Sequence, residues 1–152
     1  MSLSTRERLL YWAKWFVEHK SKVFYEEVRP FPLGAHLPQF NDCSATFTNI
    51  YYLAGAPDPN GFNYSGYGNT ASLAMNGQMV QPGKIRIGDA VLYYDGNGWS
   101  QWDTVHVAIV VNSENQDDPL TMSHGQSSEP AFVRVSEDGR PHRFFRYAVN
   151  ER

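Results

Sequence analysis

The sequence predicts an α+β domain in which helices near the N-terminus pack on an antiparallel β-sheet of about five strands. Three observations carry this. Apolar residues recur at helical spacing before residue 55, runs rich in β-branched residues follow from residue 90, and no repeat or linker divides the 152 residues. A chain of this length buries a core as one domain, residues 1–152.

The first element is a helix over about residues 5–19. Ser4 followed by Glu7 is a capping-box pattern, and Leu9, Leu10, Trp12, Ala13, Phe16 and Val17 form its apolar stripe. His19, in the last turn, reads as a surface residue complementing the helix dipole. The segment from Ser21 to Asn41 holds Pro30, Pro32, Gly34 and Pro38 and reads as an ordered surface loop. "CSATFTNIYYLAG" then spaces Ala45, Phe47, Ile50, Leu53 and Ala54 as a short helix stopping at Gly55. A Gly- and Asn-rich stretch leads to a second short helix, "ASLAMNG", with Thr70 as its cap. A Gly88–Asp89 turn feeds a strand over Ala90–Tyr94, and "TVHVAIVVN" reads as a central strand. "PLTMSHG", "AFVRVS" and "HRFFRYAV" complete the sheet.

Composition narrows the function. A formal charge of −3 and a pI near 5.9 argue against nucleic acid or an anionic membrane as partner. A single cysteine excludes an intrachain disulfide and a multi-thiolate zinc site, no short-spaced ligand pair such as HExxH occurs, and no metal or other cofactor is expected. The N-terminal stretch has no apolar export core and no run spans a bilayer. The expectation is a monomer made in the cytoplasm without its own signal peptide and without membrane anchoring.

Cys43 stands between two helix-capping residue types, Asp42 and Ser44, where unpaired amides and the helix dipole favour an anion and are expected to lower a thiol pKa. On the residue alone, a buried small hydrophobe is the commoner outcome. His106 lies within an apolar strand and demands a polar partner, and His124 ends the next strand. If register and faces agree, the two histidines form a relay serving the thiol. His36 and His142 suggest no role.

"NDCSATF", "IRIGDAVLYY", "HVAIVV" and "MSHGQSSEP", in this order, resemble the NlpC-type cell-wall peptidases, papain-like cysteine enzymes that cut peptidoglycan stem peptides. The resemblance covers roughly residues 5–149, and "AGAPDPNG" further resembles bacteriophage endolysins of that kind. It implies a papain-like fold with Cys43 as nucleophile, His106 as base and His124 as the orienting third residue, acting on the bacterial wall. Tyr25 stands where the family places a tyrosine upstream of the cysteine, and Ala45 where many relatives have glycine. Substrate contacts are expected from Tyr25, Arg29, Asp42, Ser44, Tyr64, Tyr67 and Trp102, with Trp99 nearby. The competing expectations are a non-catalytic wall-binding module, and an amidase, acyltransferase or antibacterial effector using the same residues.

Overall fold

A computed structural model describes residues 2–125 and 128–149. Helix α1 spans Thr5–Glu18, strands β1 and β2 Val23–Tyr25 and Gln39–Asn41, helix α2 Cys43–Leu53 and helix α3 Thr70–Asn76. Strands β3 (Gln78–Val80), β4 (Ala90–Tyr94), β5 (Thr104–Asn112), β6 (Leu120–Ser123) and β7 (Ala131–Arg134) follow. A short helix α4 (Val135–Asp138) and strand β8 (His142–Arg146) complete the chain.

The main sheet is antiparallel with order β3-β8-β4-β5-β6-β7, so the expected α+β layout holds with six strands in place of about five. The added strand, β3, is three residues long and too short to show alternation in the sequence. "AFVRVS" is a strand only to Arg134, and Val135 then starts α4. The strand expected over "HRFFRYAV" ends at Arg146.

Helix α1 begins with the anticipated capping box: the Glu7 amide donates to Ser4 Oγ at 3.1 Å and the Ser4 amide to Glu7 Oε1 at 2.8 Å. His19 is its C-cap, with Nδ1 2.8 Å from the Trp15 carbonyl oxygen, and its ring lies on the Trp15 indole. The cap of α3 is Asn69 and not Thr70. The Asn69 side chain accepts from the Ser72 amide at 3.0 Å, while Thr70 occupies the first helical position.

Residues of α1 and α2, including Leu9, Phe16, Phe47 and Ile50, bury one face of the sheet against Leu92, Tyr94, Val107, Ile109 and Met122. The opposite face gathers Val91, Tyr93, Ala108, Val110, Val135 and Phe144 into a second cluster. Helix α1 packs against the turn before β4 at Gly88, which has φ +94°; a Cβ there would lie 2.7 Å from Leu9 Cδ1. The next residue, Asp89, is fully buried and takes two bonds from Arg146, at 3.0 and 2.9 Å. This pair ties the end of β8 to the start of β4.

The proline-rich segment is an ordered loop whose two ends pair as parallel strands, β1 beside β2. An amide clamp holds it to α2. Asn49 Nδ2 donates to the Gly34 carbonyl at 2.9 Å and Asn49 Oδ1 accepts the Gly34 amide at 2.8 Å, while the fully buried Gln39 joins Asn41 and Asn49.

Candidate active site

Cys43 opens α2. Its N-cap is Asp42, whose Oδ1 accepts the Ala45 amide at 2.9 Å and so satisfies an otherwise unpaired donor. Asp42 also pairs through Oδ2 with Arg29 Nη2 at 2.9 Å and accepts the Ser44 hydroxyl on Oδ1 at 3.1 Å. Arg29 further donates to Ser44 Oγ at 3.1 Å and to the Gly68 carbonyl at 3.0 Å. Arg29, Asp42 and Ser44 are thus brought together as one cluster beneath the helix start, engaged mainly with each other.

The Cys43 side chain is 6% exposed. Burial, then the Asp42 charge, push its thiol up to about 11; the amides of Val107 and Ser44 and the Tyr25 hydroxyl pull in the other direction. The expectation of a lowered thiol pKa is therefore corrected, because desolvation and the capping carboxylate outweigh the helix amides. Tyr25 also receives the Cys43 backbone N–H, and burial raises its own pKa. The structure thus seats Tyr25 directly on the cysteine.

His106 is 5% exposed on β5, and the residue after it supplies the amide that meets the Cys43 sulfur. Its ring stacks on Tyr93 with centroids 5.5 Å apart, and Nε2 lies 2.7 Å from Ser123 Oγ. Nδ1 makes no hydrogen bond among the described residues. Arg140 lies over the other partner of that stack, 5.3 Å from the Tyr93 centroid, and is held by Asp138 through two bonds of 2.7 Å. Burial, reinforced by Arg140 and opposed by Asp138, lowers the His106 pKa to about 4. Thiol and imidazole are both neutral at pH 7.

His124 is 1% exposed and shares a cavity of about 10 Å³ with Cys43, Thr46, Phe47, Val107 and Met122. Its Nδ1 is 3.1 Å from Thr46 Oγ1. The Thr46 hydroxyl has acceptors at 2.8 Å in Asn41 Oδ1 and the Asp42 carbonyl, so its lone pair faces the ring and Nδ1 carries the proton. His124 Nε2 is buried with no partner among the described residues. Burial lowers this histidine to about 4, and the ring edge meets Tyr25 at 5.2 Å.

The two histidines do lie on adjacent segments, but the bond expected between them is absent among the described residues. Ala108 pairs with Ser123 and Ile109 with Met122, which sets His106 on the face of Ser123 and His124 on the face of Val107. The face condition for the relay is not met, and Ser123 stands where His124 was expected. Gln126 and Ser127 of the "MSHGQSSEP" motif lie outside the described residues.

The outlying candidates are not joined to this cluster by any hydrogen bond, ion pair or ring contact among the described residues. Tyr64 donates its hydroxyl to the Ala56 carbonyl at 2.5 Å and packs on Tyr52, bracing its own loop. Tyr67 and Trp102 are exposed, and Trp99 lies under the Arg143 guanidinium. The reading of the sequence missed Ser123, Tyr93, Thr46 and Arg140. Ser123 stands beside His124 in the chain, and without the register nothing says which of the two faces His106.

Comparison with solved structures places the fold among NlpC/P60 proteins. NlpC2 from Trichomonas vaginalis superposes with a TM-score of 0.63 at 15% identity, covering 99% of this chain and 49% of that one. NlpC1 from Trichomonas vaginalis gives 0.60 at 16% identity, over 97% and 45%. A Staphylococcus aureus protein of the NLP/P60 family, described as similar to a lipoprotein, gives 0.54 at 17%, over 96% and 42%. The chain spans less than half the length of each of these structures. No protein-family model matches the sequence, and no curated protein does.

Proposed function

We propose that the chain is a cysteine peptidase that cuts an amide bond in peptidoglycan stem peptides, acting at the bacterial wall in the manner of a phage lysin. The observation that carries this reading is the seating of Cys43 at the start of α2, with its sulfur meeting both the amide following His106 and the Tyr25 hydroxyl. An NlpC/P60 fold supports it.

The chemistry begins from neutral partners. In this reading, Cys43 Sγ attacks the substrate carbonyl carbon and its proton passes to His106 Nδ1, the ring nitrogen with no hydrogen bond among the described residues. The charge that forms on the carbonyl oxygen is met by the Cys43 N–H, with the Tyr25 hydroxyl beside it. Collapse of this adduct breaks the C–N bond, the leaving amine takes the proton from His106, and a thioester remains. Water then adds to the thioester while His106 accepts its proton; the thiolate departs and is reprotonated from His106. In this scheme His124 buttresses Tyr25 and α2 through Thr46.

The buried, protonated thiol equally suits a non-catalytic wall-binding module, and one experiment separates the two. Purified peptidoglycan is digested with the wild-type chain and with Cys43→Ala, and the products are analysed by mass spectrometry. New stem-peptide fragments that vanish in the variant are expected, and their termini distinguish an endopeptidase from an amidase or acyltransferase. Fragments that persist in Cys43→Ala rule out the thiol mechanism, and none from either protein favours the binding module.

A further inference from the structure

We propose that Ser123, in place of His124, is the positioning residue of His106. The inference rests on reading His106 as the base, but its central measurement does not require activity. Ser123 Oγ lies 2.7 Å from His106 Nε2, and the backbone pairing of Ser123 with Ala108 sets that hydroxyl within the antiparallel ladder. The ring face is fixed independently by Tyr93, stacked at an interplanar angle of 27°. Two contacts from two neighbouring strands therefore define both the plane and the rotation of the imidazole.

His124 cannot share this duty in the same arrangement. Its Nδ1–H is used by Thr46, and its Nε2 is buried beside the Cys43 cavity on the opposite face of the strand. The Ser123 contact has a chemical consequence. For Nδ1 to take the thiol proton, the neutral ring must carry its hydrogen on Nε2, and Ser123 Oγ can accept that hydrogen. When Nδ1 is protonated in turn, Nε2–H can keep the same partner.

The test combines ¹⁵N chemical shifts of the His106 ring, read without substrate, with kcat and KM on a soluble stem peptide. The wild-type ring is expected to hold its proton on Nε2. Ser123→Ala is expected to give mixed tautomers and to lower kcat on the order of ten- to a hundred-fold, with KM little changed. Ser123→Thr keeps the hydroxyl and restores both readouts, whereas His124→Gln leaves the His106 nitrogen shifts as in wild type. Unchanged His106 shifts in Ser123→Ala, or a tautomer change in His124→Gln, overturn the proposal. If Cys43→Ala still cleaves peptidoglycan, the peptidase reading fails while the nitrogen shifts still decide what orients the ring.

Discussion

The pH dependence of the thiol gives the sharpest check on the site. With Cys43 pushed up to about 11 and His106 lowered to about 4, no imidazolium–thiolate pair forms at neutral pH. The thiolate fraction at pH 7 is then about 10⁻⁴, and it rises about tenfold for each pH unit until the thiol titrates. Alkylation by iodoacetamide, followed by intact mass at a series of pH values, should show this log-linear rise without a plateau below pH 9. Asp42→Asn retains a capping side chain but removes the carboxylate that raises the thiol, so its profile should shift to lower pH. A wild-type plateau with a midpoint near pH 4–6 would refute the reasoning. It would mean that the helix amides and a protonated histidine dominate over burial.

The two buried histidines, His106 and His124, predict the response to acid. Each is lowered from 6.5 to about 4, so each contributes stability above its unfolded pKa that is lost as pH falls through 6.5 towards 4, amounting to about 3 kcal/mol apiece. The melting temperature should fall steeply across that window, and His124→Gln should flatten the slope; an equal slope in the variant contradicts the assignment. Gly88→Ala places a Cβ 2.7 Å from Leu9 Cδ1 at φ +94°, and should destabilise by roughly 2 kcal/mol or more in urea unfolding. A change below about 0.5 kcal/mol would show that α1 yields easily.

Much of this architecture was legible because its signals are local. The Ser4–Glu7 box, the stripe through Leu9 and Phe16 and the β-branched run of β5 each lie within a few residues, and each element formed near its expected bounds. Asp42 as the start of α2 was visible for the same reason. The site is harder to read because it depends on register. A one-residue difference decides whether Ser123 or His124 faces His106, and no feature of "TMSHG" encodes the pairing of Ser123 with Ala108. Arg140 was hidden in another way: "EDGR" reads as a turn, and only the return of β8 beside β4 brings its guanidinium over Tyr93. The thiol pKa departs from the sequence expectation because helix position is readable from sequence and desolvation is not.

The carboxylate that starts α2 also governs how durable the sulfur is. Oxidants such as peroxide attack thiolates far faster than thiols, and the first product leads on to acids that reduction does not reverse. Asp42 and the surrounding core keep Cys43 protonated and nearly sealed from solvent. The same placement that slows its attack on small electrophiles also slows its oxidation, and the sequence holds no second cysteine that could trap an oxidised sulfur as a disulfide.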